Sequence, residues 1–148
     1  MSDLDDSIKT KFENEKHRFV TNLIFTSNWI KNGFSDFLAP FGISSQQFNI
    51  LRILRGAGDW VTMNEVKNLM IDKSPHTTRM TTKLLDKKLL ERKRCEEDRR
   101  VVYVSITKEG LALLAEIDQG GKEQMSFLEK ISEEDAKTVN SILDKLRE

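Results

Sequence analysis

Length, composition and charge already limit what this chain can be. Its 148 residues are 38% hydrophobic, which fits one domain with a core, and no run approaches the ~18 consecutive apolar residues of a membrane span. The acidic, polar start is unlike a signal peptide, and the lone Cys95 excludes an internal disulfide framework, so we expect a cytoplasmic protein without membrane contact.

The net charge of zero hides an uneven distribution along the chain. Residues 73–100 carry 10 Lys/Arg and 5 Asp/Glu, whereas residues 1–72 carry 8 and 9, and residues 101–148 carry 6 and 10. A local basic patch attracts a polyanion even on a neutral protein, because steering and counterion release depend on nearby charge. A solvated charged face gives the same counts, so charge alone leaves both interpretations open.

Residues 4–38 carry apolar side chains at three- and four-residue spacing, which predicts one long helix. The stripe includes Ile8, Phe12, Phe19, Leu23 and Ile30. The helix is broken by residues 39–42, which contain Pro40 and Gly42. A long amphipathic helix at a terminus needs a partner surface to cover its apolar stripe.

Capping signals predict the next three helices. Two capping boxes, in which a hydroxyl caps a backbone N–H and a longer polar side chain reaches back, start the first two: Ser44 with Gln47, and Thr62 with Glu65. Ser74-Pro75 is a favoured start for the next, which runs to about Lys88. Only residues 71–74 separate these last two helices, which is the spacing of a helix-turn-helix.

Residues 89–106 change to strand periodicity. Residues 90–94 and 101–106 read as two strands around a charged turn, and therefore as a β-hairpin wing. Trp60-Val61 is a candidate short strand, and Thr107 and Ser132 cap two further helices. The sequence thus predicts a mainly α fold with a small β-hairpin (α+β), in which residues 44–106 form a winged helix-turn-helix lobe.

The helix after Ser74 has two chemically distinct faces. Its core face carries Thr77, Met80, Thr81 and Leu84, and its outer face carries His76, Arg79, Thr82 and Lys83. Basic donors beside short hydroxyls suit the major groove of DNA, where Arg or Lys reads guanine. An ordinary amphipathic helix with a soluble face is the alternative.

The tip of the hairpin is basic. Arg99 and Arg100 could enter a minor groove, where negative potential is concentrated, and Asp98 would orient an arginine through a bidentate pair. A polar hairpin turn is the alternative. A helix-turn-helix followed directly by a basic-tipped hairpin is, however, much more specific than either part.

Three segments resemble the wing region of MarR-family regulators: residues 89–92 (Leu-Leu-Glu-Arg), residues 98–104 (Asp-Arg-Arg-Val-Val-Tyr-Val) and residues 106–110 (Ile-Thr-Lys-Glu-Gly). Thr78-Arg79 also matches the Thr-Arg often seen in the family's recognition helix. Lys88 departs from the pattern, because the family usually has glycine there. A left-handed turn at that position would cost lysine about 1 kcal/mol.

The resemblance implies a single MarR-like domain over residues 1–148, with dimerisation helices at about 4–38 and 108–147. It implies a homodimeric transcription regulator, acting as a repressor on a pseudo-palindromic operator in double-stranded DNA. The DNA-contacting residues would be Ser74, His76, Thr78, Arg79, Thr82, Lys83, Arg99 and Arg100, with Asp98 supporting the wing. A small aromatic or anionic effector is also expected, with Phe25, Trp29, Phe48 and Arg52 as candidate pocket residues, unless those aromatics are simply core.

Other classes of protein find less support in the sequence. The two histidines lie on different elements, and no Cys/His cluster, Gly-rich phosphate loop or nucleophile elbow occurs, so we expect neither an enzyme nor a metal or other cofactor. A winged-helix interaction module without DNA binding remains the alternative function.

Cys95 lies beside Lys93 and Arg94, which would favour a thiolate, and is either a redox sensor or a plain strand residue.

Overall fold

The computed structural model describes residues 4–73 and 75–148, which fold around a helical core with one small sheet. The elements in chain order are α1 (Leu4–Ile8), α2 (Glu15–Leu38), a 3₁₀ turn (Ala39–Phe41), α3 (Ser45–Ala57), β1 (Val61–Thr62), α4 (Met63–Leu69), α5 (Thr77–Asp86), β2 (Leu90–Arg94), β3 (Val102–Ile106), α6 (Lys108–Gln124), a second 3₁₀ turn (Ser126–Lys130) and α7 (Glu133–Lys145). This mainly helical fold with a β-hairpin is the predicted one. Among the described helices, none is both long and apolar enough to cross a bilayer.

The prediction of one continuous helix over residues 4–38 is wrong. The chain leaves α1 at Lys9, which has a left-handed backbone with φ of 53°, and α2 begins afresh after Asn14. The Asn14 side chain accepts hydrogen bonds from two backbone N–H groups of the first turn of α2, both at 3.0 Å. Such a cap offers the backbone an alternative to continuing a helix. An ion pair of 3.1 Å between Asp5 and Arg18 then ties α1 to α2.

The predicted capping boxes are confirmed. In α3, Gln47 N donates to Ser44 Oγ at 3.2 Å and Ser44 N donates to Gln47 Oε1 at 2.8 Å. The box of α4 has the same form, and hydrogen bonds from the backbone and the hydroxyl of Thr62 lower the pKa of Glu65. These caps fix where α3 and α4 begin.

The predicted start of the fourth helix at Ser74-Pro75 is wrong by about two residues. Ser74 lies outside the described residues, Pro75 and His76 form a turn, and α5 begins at Thr77. His76 has φ of −89° and ψ of 6°, which belong to a turn rather than to a regular helix.

The sheet has three antiparallel strands in the order β1-β3-β2. The predicted hairpin is confirmed, with Arg92 opposite Val104 and Arg94 opposite Val102. The predicted strand Trp60-Val61 lies one residue further along, as β1, where Val61 pairs with Val104.

The end of α5 sets the direction in which the hairpin leaves the helix. Leu89 N donates to Leu84 O at 3.0 Å and Lys88 N donates to Leu85 O at 2.9 Å, which is a Schellman motif. The backbone of Lys88 is left-handed, with φ of 59°. This conformation is expected at a position where the MarR family, which the sequence resembles, usually has glycine. Leu84 and Leu90, on either side of this turn, are both buried in the core.

Candidate nucleic-acid interface

The inner face of α5 is anchored in the core. Thr77 and Thr81 are each 3% exposed and Leu84 is fully buried. Thr81 Oγ1 donates to Thr77 O at 2.9 Å, so its hydroxyl is satisfied within the helix despite burial. The predicted division of this helix into a core face and an outer face is therefore confirmed.

The outer face of α5 presents polar and basic groups to solvent. The exposed residues are Thr78, Arg79, Thr82 and Lys83 on α5 and His76 in the turn just before it. Thr82 Oγ1 donates to Thr78 O at 3.1 Å, which leaves the oxygen of that hydroxyl as an outward acceptor. All the predicted DNA-contacting residues of this helix that the structure describes therefore lie on one accessible surface. Contact with DNA stays a prediction for each of them.

The wing tip is organised around Asp98. Its Oδ1 accepts from Arg100 Nε and from Arg100 N, both at 3.1 Å, and its Oδ2 lies 3.5 Å from Arg100 Nη2. Arg94 Nη1 donates to Arg99 O at 3.0 Å and fixes the turn from the other side. The Arg100 side chain is nevertheless 92% exposed, so the loop is ordered while its guanidinium remains accessible.

The sequence did not predict one contact made by the hairpin. Lys93 Nζ lies 4.2 Å from the centroid of the Trp60 ring and 6.0 Å from that of Tyr103. Lys93 and Tyr103 face each other across β2 and β3. The cation–π contact links the residue before β1 to the hairpin. A lone tryptophan before a two-residue strand gives little warning of it in the sequence.

A cavity of about 470 Å³ lies between α2, α3 and α6. Its walls include Phe34, Phe37, Phe48 and Ile117, and the exposed Lys31 and Lys122 also line it. The walls are mostly apolar, and the charged groups among them are the two lysines and Asp118.

Of the four candidate pocket residues, only Phe48 lines this cavity. Trp29 packs edge-on against Phe127 with ring centroids 5.2 Å apart, and Arg52 Nη2 donates to Asn49 Oδ1 at 2.9 Å on the surface of α3. Phe25 is half-buried on α2 and does not line the cavity. The structure therefore brings only Phe48 of these four residues to the cavity, where Phe34 and Phe37 supply the α2 side. A role in effector binding stays a prediction for all four.

The terminal helices keep a large apolar surface uncovered within one chain. Their exposed hydrophobic residues are Phe19, Val20, Leu23, Ile24, Trp29 and Ile30 on α2, Leu111 on α6, Val139 and Ile142 on α7, and Met125, Leu128, Ile131 and Leu146 beside these helices. Scattered exposed hydrophobics are normal, whereas a concentration of this kind marks an interaction surface.

Residues 4–73 and 75–148 contain no cluster of three His, Cys, Asp or Glu suited to a metal ion.

Comparison with known proteins places this geometry in a family. Residues 33–117, more than half of the chain, match the family described as Transcriptional regulator SarA/Rot. Among curated proteins, the multiple antibiotic resistance protein MarR of Salmonella typhimurium is 28% identical over 114 residues, which cover 76% of this chain and 78% of that protein.

Solved structures show the same fold. A mutant of MarR from E. coli, complexed with operator DNA, aligns with a TM-score of 0.72 and 27% identity over 98% of this chain and 99% of its own. A MarR-like transcription regulator from Bacillus cereus aligns with a TM-score of 0.79 and 16% identity over 90% and 96%. The MepR–DNA complex of S. aureus aligns with a TM-score of 0.73 and 21% identity over 92% and 97%. The last two, at lower identity, show the fold alone.

Proposed function

Because the chain belongs to the SarA/Rot family of transcriptional regulators and has the MarR-type winged-helix fold, we propose that it represses transcription as a homodimer bound to a pseudo-palindromic operator in duplex DNA. Residues 44–106 would form the DNA-binding lobe of a single domain. Residues 4–38 and 108–147 would form its dimerisation helices.

The accessible basic face of α5, beside an ordered wing, carries this proposal. Arg79 and Lys83 extend from a helix whose opposite face is locked in the core, and Arg100 extends from a loop held by Asp98. A rigid helix with outward basic side chains fits a major groove, and a basic ribbon tip fits the neighbouring minor groove.

The wing offers the direct test of DNA binding. We expect Arg99→Ala and Arg100→Ala to weaken binding to all duplexes and to lower the salt slope by about one unit per lost phosphate contact. Fluorescence anisotropy over a salt series measures both quantities. Lys137→Ala, on the remote helix α7, is the matched control. Salt-independent binding, or none, in the unmodified protein would favour the interaction-module alternative.

The uncovered apolar surface of the terminal helices supports the proposed dimer. Twofold pairing would bury α2 and α7 against their copies in the second subunit. The two α5 helices would then bind DNA half-sites about one helical turn apart. An inverted repeat in duplexes selected from random DNA would support this arrangement, and a single unrepeated half-site would contradict it.

An effector would act through the cavity between α2, α3 and α6. Its aromatic walls and its two lysines suit a small aromatic carboxylate. Arg55 Nη1 lies 2.6 Å from Asp118 Oδ2, and this ion pair joins α3 to α6 at the cavity. A bound effector would therefore alter the contact between the lobe and the terminal helices. Titrating benzoate against the protein–DNA complex tests this role, and release of DNA that is abolished by Phe48→Ala is the expected result.

A further inference from the structure

A second groove, of about 380 Å³, separates α5 from the wing. Residues of α4, α5 and the β-hairpin line it, together with Thr62 just before α4. Four of the lining residues are basic and none is acidic: Lys67, Arg92, Arg94 and Arg100. A concave surface with charges of one sign concentrates the electrostatic potential, here for an anion.

Successive side chains of β2 lie on alternate faces of the strand, and two of these arginines therefore lie on the side of the groove. Arg92 and Arg94 share one face of the strand, whereas Lys93 lies on the opposite face over Trp60. Arg94 already donates a hydrogen bond to Arg99 O, and Arg100 already forms an ion pair with Asp98. Within the described parts of the chain, neither Arg92 nor Lys67 forms an ion pair. Both side chains are exposed and available to a ligand.

The geometry of duplex DNA indicates which anion the groove faces. One sugar–phosphate strand separates a major groove from the adjacent minor groove, so a protein with a helix in one and a ribbon tip in the other must straddle that strand. On this protein, the surface between helix and ribbon is the basic groove. We propose that the groove holds a phosphodiester of that strand, with Arg92 and Lys67 as its ligands.

This assignment rests on the proposed function and adds to it. Arg79 would read a base, whereas Arg92 and Lys67 would grip the backbone and fix the distance between the two groove contacts. Phosphate contacts set register and carry no direct sequence information. Free phosphate offers the same oxygen chemistry as the DNA backbone, so the experiment must separate these two sources.

The test compares Arg92→Gln and Lys67→Gln with Lys93→Gln, which removes a charge from the opposite face of the same strand. Anisotropy is measured with a selected duplex and a random duplex over a salt series. Losing one charged contact should weaken binding about tenfold on both duplexes, and should lower the salt slope by about one unit. Lys93→Gln should leave the slope unchanged. All three residues are exposed, and unfolding curves verify that each variant is folded.

Each outcome bears on a different claim. Unchanged affinity and slope in both Arg92→Gln and Lys67→Gln, with the unmodified protein still bound to DNA, would overturn the groove assignment alone. Absence of salt-dependent DNA binding by the unmodified protein would overturn the proposed function itself. At constant ionic strength, inorganic phosphate should compete no better than chloride. Inorganic phosphate that raises the thermal stability of the unmodified protein but not of Arg92→Gln, while Arg92→Gln binds DNA with unchanged affinity and salt slope, would identify a free-anion site and overturn the backbone assignment.

Discussion

Lys88 holds a backbone conformation that disfavours any side chain. Its φ of 59° lies in the left-handed region, where a non-glycine residue loses about 1 kcal/mol. We expect Lys88→Gly to raise the free energy of unfolding by about 0.5–1 kcal/mol. The greater conformational entropy that glycine gives the unfolded chain offsets part of this gain. Urea denaturation measures the change. Lys87→Gly, one residue earlier with φ of −81°, should destabilise instead, and a gain in both variants would contradict the argument.

Gly110 shows the opposite requirement, a position where no side chain fits. A Cβ there would collide with the carbonyl oxygen of Leu89 and lie 2.7 Å from Ile106 Cγ1. That carbonyl already accepts from Thr107 N at 3.1 Å and cannot easily move. Gly110→Ala should therefore cost about 1–3 kcal/mol of stability.

Gly56 provides the control for this prediction. It lies in α3 with nothing within 4 Å of a built Cβ, so Gly56→Ala should stabilise the protein by about 0.5–1 kcal/mol. Thermal or urea unfolding of the two variants should give shifts of opposite sign. A neutral Gly110→Ala would mean that α6 can shift away from the hairpin at little cost.

At the scale of elements, local chemistry was readable from the sequence where a side chain meets its own backbone. The boxes at Ser44 and Thr62 begin helices as predicted, because the bonding partners lie three residues apart. The break between α1 and α2 was missed because the apolar stripe continues through Phe12, whereas the cap at Asn14 decides the backbone. Periodicity reports which face is apolar and does not report whether the helix is continuous.

The outer face of α5 makes a prediction about specificity. If Arg79 forms a bidentate contact with guanine, Arg79→Ala should cost about 1–3 kcal/mol on the best operator and much less on random DNA. The ratio of specific to random affinity, at one fixed salt concentration, is the decisive quantity. Thr82→Ala, on the same exposed face, is a milder comparison. An unaltered ratio in both Arg79→Ala and Lys83→Ala would show that these two side chains do not read the sequence.

At the scale of the whole molecule, the order of elements was predictable and the cavity was not. Start signals at Ser44, Thr62, Thr107 and Ser132 mark the helices that follow them, so most of the order of helices and hairpin follows from local pattern, although α5 begins without a side-chain cap. Which aromatics meet across α2, α3 and α6 depends on how those helices pack together. Phe34 and Phe48 come together with ring centroids 5.1 Å apart, while Trp29 meets Phe127. No spacing along the chain encodes that choice.

The uncovered terminal helices make the last prediction, which concerns assembly. Ile142 on α7 is 47% exposed in a single chain, and a dimer would bury it twice by symmetry. Losing about 1.5 kcal/mol of apolar burial from each subunit should weaken dimerisation of Ile142→Lys about hundredfold. Ile71→Lys is the matched control, because Ile71 is 83% exposed and lies between α4 and α5, away from the terminal helices. Sedimentation over a range of protein concentrations should show dissociation of Ile142→Lys only. A monomer in the unmodified protein at micromolar concentration, or equal dissociation of both variants, would contradict dimerisation through this surface.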